Sequence, residues 1–346
     1  MPMTIFDLIK SQELTSYWET LTQDRAPYFG ETLFPSQQKL GLSLDWLKGA
    51  NGLPVVLKPS AFDSKAIPRA RLGFEKLTAQ MPFFKESSYV DEELRQQLNM
   101  VLESGNQSYI DAVINRVFDD ETSLLEGAAA RREQMRMMLL TTGTISISAN
   151  GQNYFYDYGV PEDNKVDATT GWSNPDADII GDIRTWQDQV EDATGVRPTR
   201  AVCSRKTWNY FLSNTAIKNG VLGNDSAAPI TENQAKQYLA TMLDLEVYVY
   251  TKRYTNDEGV ATKYVPDDTF VLFPTGNLGT GWFGTTPEQS DLMTSNVGNV
   301  SITDTGVAVS TIQLFDPVNV DTKVTMIYLP DFPTANQVVI ADVAGE

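Results

Sequence analysis

The stretch that decides the fold is residues 105–143, GNQSYIDAVINRVFDDETSLLEGAAARREQMRMMLLTTG. Its apolar residues recur at the spacing of one helix face, which predicts a long helix. They are Ile110, Val113, Ile114, Val117, Leu124, Ala128, Met135 and Met138. A continuous helix of roughly 30 residues would be about 45 Å long and would span a whole domain. Charges at 119–121 and the glycine at 127 leave two collinear helices as an alternative.

Length and composition limit the class of protein. The 346 residues suffice for two compact lobes, and 41% apolar with 21% charged residues is ordinary for a folded soluble chain. The formal net charge of -18 argues against nucleic-acid binding as the main function, because a polyanion is bound by a basic face. No apolar run reaches the length of about 18 residues that spans a bilayer, so we expect no membrane partner. Residues 1–10 do not resemble a signal peptide.

Two residue types limit the chemistry. Histidine is absent, which excludes Ser-His-Asp and Cys-His triads and nearly every catalytic zinc arrangement. Cys203 is the single cysteine, so the chain can form no internal disulfide and suits a reducing cytoplasm. Because Cys203 lies in an apolar run, we expect a buried core residue. Asp157, Asp163 and Asp167, or Asp267 with Asp268, could form a metal or acid/base cluster, but they do not have the spacing of a calcium loop, so we expect no metal site. We also expect no cofactor and no catalytic residue.

The first part of the chain predicts two appendages. Residues 1–50 are repeatedly broken by proline and glycine and carry scattered aromatics. These aromatics are Trp18, Tyr28, Phe29, Phe34 and Trp46. The composition predicts an arm that packs either on another subunit or on its own chain. Residues 53–58 and 74–84 then read as the two strands of a long β-hairpin.

Charge is distributed unevenly along the chain. Between residues 51 and 85 the basic residues exceed Asp63 and Glu75 by a balance of +4. They are Lys58, Lys65, Arg69, Arg71, Lys76 and Lys85. Residues 157–192 carry ten acidic residues against two basic ones, a balance of -8. We infer that the hairpin suits an acidic surface on a neighbouring copy, with a solvated charged loop as the alternative.

A second lobe follows the long helix. Residues 144–148 and 153–158 alternate around Asn150-Gly151, a strong hairpin signal. Helices and strands then alternate, which predicts a mixed α/β lobe. The predicted helices of this lobe are 176–192, 206–219 and 232–243, and its predicted strands are 200–204, 245–251 and 269–274. Further strands are predicted after it at 300–315 and 318–329, and 337–343 is a candidate for the last strand. We expect this lobe to be an insertion, with the C-terminus returning to the sheet of the first lobe.

The order of these segments resembles a known family. Five short motifs carry the resemblance: Met81-Pro82-Phe83-Phe84-Lys85-Glu86, Tyr156-Asp157-Tyr158-Gly159 followed by Pro161-Glu162-Asp163-Asn164, Asn256 to Gly259, Tyr264-Val265-Pro266-Asp267-Asp268-Thr269, and Tyr328-Leu329-Pro330. Nearly the whole chain resembles the major capsid proteins of tailed bacteriophages (Caudoviricetes), which have the Hong Kong 97-type fold. Within that group it is most similar to the lambda-type coat family, major capsid protein E.

The resemblance implies an α+β Hong Kong 97-like capsid fold in five parts. These are an N-terminal arm (1–50), an extended β-hairpin loop or E-loop (51–86), a peripheral domain with a spine helix (87–160), an inserted axial domain (161–315) and a return to the peripheral domain (316–346). In that scheme the E-loop makes intersubunit contacts through Lys58, Lys65, Arg69, Arg71 and Lys76.

The resemblance also implies a function and partners. The chain would be a structural protein of the virion. Its copies would self-assemble, in the host bacterial cytoplasm, into pentamers and hexamers of an icosahedral shell. The shell would enclose double-stranded DNA without sequence-specific binding. The arm begins almost at Met1, which implies a separate scaffolding protein, with a scaffold segment already removed as the alternative. A portal, a capsid maturation protease and a decoration protein are further expected partners.

One motif suggests a different class of protein. Residues 279–284 match G-x-G-x-x-G after a predicted strand, with Asp304 twenty residues beyond, as in a dinucleotide-binding enzyme. However, Thr285-Thr286-Pro287 stands where a helix must begin. We therefore predict a flexible loop at the centre of a capsomer, formed by Gly279, Gly281, Trp282 and Gly284. A nucleotide-dependent enzyme and a non-viral compartment shell of the same fold remain the alternatives.

Three arginines of the long helix also need an interpretation. Arg131, Arg132 and Arg136 could contact DNA. On a helix, they are more simply partners for acidic side chains on neighbouring strands and loops.

Overall fold

A computed structural model describes residues 9–23, 25–48, 75–90, 92–93, 95–97, 100, 107–149, 151–223, 228–292, 299–315 and 318–345. The chain divides into two compact units. The first unit comprises Met1–Leu44, Ala79–Met135 and Thr280–Pro330, and the second comprises Asp45–Thr78, Arg136–Gly279 and Asp331–Glu346. These bounds differ from the predicted bounds of the inserted domain, and the assignment of arm, E-loop, peripheral and axial parts stays a prediction.

The α-helices with stated bounds are α1 (Ser11–Gln23), α2 (Phe29–Leu33), α3 (Gln107–Thr142), α4 (Ile179–Thr194), α5 (Arg205–Ser213), α6 (Thr215–Leu222) and α7 (Glu232–Leu243). Short 3-10 helices lie at Glu162–Asn164 and Ala335–Gln337, and a π-helix lies at Glu288–Leu292. The strands up to the second lobe are β1 (Ser36–Gln38), β2 (Ser43–Lys48), β3 (Glu75–Gln80), β4 (Phe83–Tyr89), β5 (Thr144–Ala149) and β6 (Gln152–Asp157). The later strands are β7 (Lys165–Asp167), β8 (Arg200–Cys203), β9 (Glu246–Val249), β10 (Arg253–Thr255), β11 (Ala261–Lys263), β12 (Thr269–Phe273), β13 (Gly281–Phe283), β14 (Asn299–Thr303), β15 (Val307–Phe315), β16 (Val318–Pro330) and β17 (Val339–Asp342).

The long helix α3 is continuous over 36 residues, which excludes two collinear helices. At 1.5 Å per residue it is about 54 Å long. The predicted apolar stripe is confirmed at Val117 and Met135, which are buried. In the middle of the helix the buried residues are Leu125 and Ala129, each one position later than predicted. Leu124 and Leu125 are both apolar, as are Ala128 and Ala129, so the apolar pattern alone does not show which residue of each pair is buried.

The first unit contains a six-stranded sheet of order β1-β13-β16-β15-β14, with β4 also paired to β16. β13 runs parallel to β1 and antiparallel to β16. The predicted strand 300–315 is two strands, β14 and β15, which pair across a turn at 304–306. Asp304 and Thr305 have φ of 46° and 75° there, the left-handed conformation that tight hairpin turns need. The usual Asn-Gly or Asp-Gly signal is missing, so the sequence does not predict this turn.

The predicted strand 74–84 is also two strands, β3 and β4, which are separated by Met81 and Pro82. Proline lacks the N–H group that a continuous ladder requires. β3 pairs with β2 in a two-stranded sheet. The predicted partner strand, 53–58, lies outside the described residues.

The second unit contains a five-stranded sheet of order β7-β17-β12-β8-β9. Its core includes Trp172, Trp208, Phe211 and Phe270, whose adjacent ring centroids lie 5.1–5.6 Å apart. The mixed α/β lobe is therefore confirmed. The predicted helix 206–219 is interrupted, because the Asn214 side chain accepts a bond from the backbone N–H group of Ile217 at 3.0 Å and so caps a separate helix, α6.

The two C-terminal strands belong to different sheets. β16 joins the sheet of the first unit, as expected. β17 pairs with β12 and β7 in the second unit, so the expected return of the whole C-terminus to the first sheet is wrong for this strand. Val339 and Ala341 are buried in the core of the second unit. Their alternation predicts a strand, but not the sheet that the strand joins.

Candidate functional site

Most of the predicted intersubunit contacts cannot be placed. Lys58, Lys65, Arg69 and Arg71 lie outside the described residues, and Lys76 lies on β3. Their role in contacts between copies stays a prediction.

The glycine-rich segment is not a flexible loop. Gly281–Phe283 form β13, which is paired on both sides, with β1 and β16. Gly279, Gly281 and Gly284 are buried. The N–H group of Gly281 donates to the carbonyl group of Pro35 at 3.0 Å. The prediction of a flexible loop is therefore wrong, whereas its position at the centre of a capsomer stays a prediction.

The glycines occur where neighbouring atoms leave no room for a Cβ atom, and they do not form a phosphate-binding loop. A Cβ atom at Gly284 would lie 2.6 Å from Cγ2 of Ile327, and one at Gly281 would overlap the hydroxyl group of Tyr328. Trp282 is half-buried within the strand. Thr285 and Thr286 are not helical, and the turn that begins at Pro287 continues as a short π-helix, Glu288–Leu292, rather than as the α-helix that must open directly behind the glycines of a dinucleotide site. Close packing between strands accounts for the motif.

The arm packs on its own chain, within the first unit. Its helix α1 buries Leu14 and Trp18, and it lies against β14 and β15. Ser11 Oγ donates to Asn299 Oδ1 at 2.8 Å. Of the two alternatives for the arm aromatics, burial on the same chain holds for Trp18 and Phe34, which are 2% and 0% exposed.

A network of Trp18, Asp304 and Arg132, which we call the arm clasp, joins the arm, the β14–β15 turn and α3. Trp18 Nε1 donates to Asp304 Oδ1 at 3.2 Å, and Arg132 Nη2 donates to Asp304 Oδ2 at 2.7 Å. The Arg132 side chain is only 8% exposed, and its guanidinium lies 5.5 Å from the ring centroid of Phe283. Arg132 is thus confirmed as the partner of an acidic side chain on a neighbouring loop.

Sequence reasoning missed the arm clasp. Asp304 attracts attention in the sequence only through its distance from the glycine motif. Nothing in the spacing predicts its bond to Trp18, 286 residues away in the chain.

Three acidic residues of α3 form a stripe that holds the arm. They are Asp119, Glu126 and Glu133, which follow one another every seven residues and so lie on one helix face. The donors are Tyr17 Oη to Asp119 Oδ1 at 2.7 Å, Arg25 Nη2 to Glu126 Oε1 at 2.7 Å, and the Gly30 N–H group to Glu133 Oε1 at 3.0 Å. This repeat is present in the sequence, and it is a signal that could have located the arm.

The three contacts differ in strength. Arg25 and Glu126 have side chains that are 60% and 50% exposed, so their ion pair stabilises the arm little. Glu133 is fully buried, and its bond to the arm backbone is shielded from water. The bond to Asp119 raises the pKa of Tyr17, because it favours the protonated phenol.

Glu121, another acidic residue of α3, is buried and has no basic partner among the described residues. Glu121 is 3% exposed, lies against Thr322 of β16, and its Oε2 accepts no bond from a described residue. Burial, with the charges of Asp120 and Asp321, raises the pKa of Glu121 to about 7. The contact between α3 and β16 therefore contains a carboxyl group that titrates near neutral pH.

Glu288 shows the opposite arrangement in the same unit. Its carboxylate is paired with Lys323 Nζ at 2.7 Å and accepts a bond from Thr325 Oγ1 at 2.9 Å. Burial alone would raise the pKa of Glu288, but the bonds to Lys323 and Thr325 lower it below its usual value. A paired carboxylate in this unit thus stays charged, whereas Glu121 does not have that support.

The acidic segment 157–192 lies in the second unit, and its carboxylates fall into two groups. One group bonds within the unit: Asp178 caps α4, Asp182 accepts from Trp172, and Asp188 and Glu191 pair with Arg197. Asp157, which accepts from the Gly159 N–H group, and Glu162, which pairs with Lys165, also belong to this group. The carboxylates of the other group are exposed and have no hydrogen bond or ion pair to a described residue: those of Asp163, Asp167, Asp176 and Asp192. The second group is available to a basic partner.

Other chemistry finds little support. Within the described ranges, no cluster of histidine, cysteine, aspartate or glutamate could hold a metal ion. None of the helices described is long and apolar enough to cross a membrane. Cys203 is buried as predicted, and burial raises the pKa of its thiol to about 12, so the thiol is unreactive.

Comparison with known proteins identifies the family. A family model described as phage major capsid protein E matches residues 10–343. A solved prophage capsid protein from Escherichia coli CFT073 is 15% identical with a TM-score of 0.62, over 97% of this chain and 99% of that chain. A phage-related protein from Bordetella bronchiseptica RB50 is 15% identical with a TM-score of 0.57, over 97% and 98% of the two chains. No curated protein sequence matches.

A third solved structure, the capsid of cyanophage A-1(L), is 11% identical with a TM-score of 0.53, over 92% of this chain and 93% of that chain. At such low identity these likenesses establish the fold, which is the Hong Kong 97-like capsid fold that the resemblance implied. The family model covers most of the chain, and the chain therefore belongs to the phage major capsid protein E family.

Proposed function

We propose that this tailed-phage major capsid protein binds further copies of itself in pentamers and hexamers of an icosahedral shell around double-stranded DNA. The observation that carries the proposal is the family match over residues 10–343. Capsids are built from multiple copies of such a chain, and its place is the virion shell. Its family and fold are those of structural proteins, which supports a role without catalysis.

The basic E-loop is the proposed latch between copies. Its positive balance is complementary to the exposed carboxylates of the second unit, Asp163, Asp167, Asp176 and Asp192. Because such contacts lie near the surface, rising ionic strength should weaken them. The latch would help one subunit hold the next.

The same acidity supports a passive role toward DNA. A chain of net charge -18 repels a polyanion, so packaged DNA would not adhere to a lining built from it. We extend the proposal to the partners that such a shell needs. These are a separate scaffolding protein, a portal, a capsid maturation protease and a decoration protein.

The alternative functions are not favoured. The glycines are packed between strands and form no dinucleotide site, so the motif does not support a nucleotide-dependent enzyme. A non-viral compartment shell of the same fold is less well supported than a virion shell, since the family model that matches is one of phage capsids.

The test is assembly. The protein, expressed alone or together with a candidate scaffolding protein, should sediment as rings and shells that electron microscopy resolves. Changing Lys65, Arg69 and Arg71 to Glu should weaken assembly at low salt. A matched control changes the exposed residues Lys10, Arg116 and Arg253, which lie outside the E-loop, to Glu and so alters the net charge equally. Equal loss in both triple variants would remove the case for the latch, and a wild-type chain that stays monomeric would contradict the proposed function.

A further inference from the structure

The β5–β6 hairpin of the second unit has two different faces. Ile145 and Ile147 are buried on one face. The other face exposes Ser146, Ser148 and Phe155. Phe155 is 69% exposed, directly opposite Ser146 in the register of the two strands. A large aromatic side chain thus stands in the middle of an otherwise small and polar surface.

The hairpin carries a single charged residue, Asp157, which ends β6 opposite Thr144. No acidic or basic residue occurs between Arg136 and Asp157, although 21% of the whole chain is charged. The helical part of this interval is buried, so its lack of charge follows from burial. The other long uncharged interval, between Asp268 and Glu288, is likewise largely buried in β12 and β13. The hairpin is different because its uncharged residues are exposed.

Charge decides which surface two copies can share. Each copy carries a net charge of -18, so most pairs of surfaces repel one another. The centres of protein interfaces are depleted in charged residues and enriched in aromatic ones. The outer face of the hairpin meets both conditions at its centre, where Phe155 is surrounded by uncharged residues, and its one carboxylate, Asp157, lies at the end of the strand. The hairpin is a separate two-stranded sheet, so in the part of the chain that is described its edges are unpaired.

We infer that the outer face of the β5–β6 hairpin, centred on Phe155, is a docking surface for a second copy of this chain. The inference rests on the proposed function, since it names one of the surfaces through which the shell subunits meet. Phe155 is the anchor that the second copy buries. The hydroxyl and amide groups around it, Ser146, Ser148 and Asn153, supply hydrogen bonds at the rim.

The first experiment replaces the anchor. Phe155→Ser should raise the protein concentration needed for half-maximal assembly roughly tenfold or more, as expected for loss of a central aromatic anchor. Because Phe155 is exposed, thermal unfolding of the free chain should change little. Phe155→Leu keeps an apolar side chain and should retain most of the assembly. A Phe155→Ser protein that assembles at the wild-type concentration would overturn the inference.

The second experiment reports contact directly. Ser146→Cys places a thiol beside Phe155, and the single native thiol, Cys203, is buried. A maleimide reagent should label the new thiol rapidly in the free chain and at least tenfold more slowly in shells. Equal labelling of the free and assembled chains would contradict the inference while leaving the proposed function intact. Failure of the wild-type chain to assemble would instead contradict the proposed function, and the inference with it.

Discussion

Glu121 makes the strongest prediction about stability. Its carboxyl group is buried between α3 and β16, and its pKa is raised from 4.5 to about 7, mainly by burial. Between pH 4.5 and about 7, Glu121 is therefore protonated in the folded chain and ionised in the unfolded chain. The stabilising effect of this arrangement is complete below the unfolded pKa and is lost as the pH rises through the folded value.

The size of the effect follows from the shift. A rise from 4.5 to about 7 corresponds to about 3 kcal/mol of unfolding free energy, lost between acidic pH and pH 8. Glu121→Gln removes the ionisable group and keeps the shape of the side chain. At pH 8 the variant should be more stable than the wild type by about 2–3 kcal/mol, because it never buries a charge. Near pH 4.5 the two proteins should be nearly equal, since the wild-type carboxyl group is then neutral.

The assay is thermal unfolding of the unassembled chain from pH 4.5 to pH 8, with the difference in Tm between variant and wild type as the readout. The matched control is Glu126→Gln on the same helix, whose side chain is 50% exposed. The unfolding free energy of this control variant should stay within about 1 kcal/mol of the wild-type value at every pH, so its Tm should change little with pH relative to wild type. A difference between Glu121→Gln and wild type that does not grow with pH would refute the reasoning.

Two further predictions concern the first unit. Asp304→Ala leaves Arg132 buried and unpaired, so it should cost about 3–5 kcal/mol and speed proteolysis after Arg25, whereas Asp304→Asn, which keeps an acceptor for Trp18, should cost less. Unchanged proteolysis in Asp304→Ala would contradict the arm clasp. Gly127→Ala should stabilise α3 by about 0.5–1 kcal/mol, since its Cβ would meet only Glu86 at 4.0 Å, whereas Gly284→Ala should cost about 1–3 kcal/mol through overlap with Ile327. Equal melting of the two glycine variants would show that the space around β13 is not limiting.

The sequence predicts the elements of this fold well where a local signal exists. The helix α3, the Asn150-Gly151 hairpin and helix α7 at Glu232–Leu243 all follow from periodicity or turn chemistry. It fails where a break has no strong signal. The turn at 304–306 uses two non-glycine residues in left-handed conformation, and a single asparagine divides α5 from α6. Tertiary packing decides both breaks.

The candidate site is predicted much less well, because its contacts are distant in sequence. The glycine motif looked like a loop since glycine favours flexible segments, yet the strands on either side of β13 hold it in place. The partnership of Arg132 with an acidic residue followed from its position on a helix. The identity of that residue, Asp304, did not, because pairing across 172 residues depends on the whole unit.

The arm bears on how the shell is held together. Its sequence left open whether the aromatics bury on a neighbour or on the same chain, and for Trp18 and Phe34 the answer is the same chain. Side chains already buried in the monomer have no apolar surface left to contribute when copies meet. In the proposals above, the contacts between copies therefore come from other groups, namely the exposed Phe155 and the basic residues of the E-loop. The proposals thus assign folding and assembly to different aromatic residues, and substitutions should separate them: Trp18→Ala should lower the melting temperature of the free chain, whereas Phe155→Ser should leave it unchanged and impair assembly.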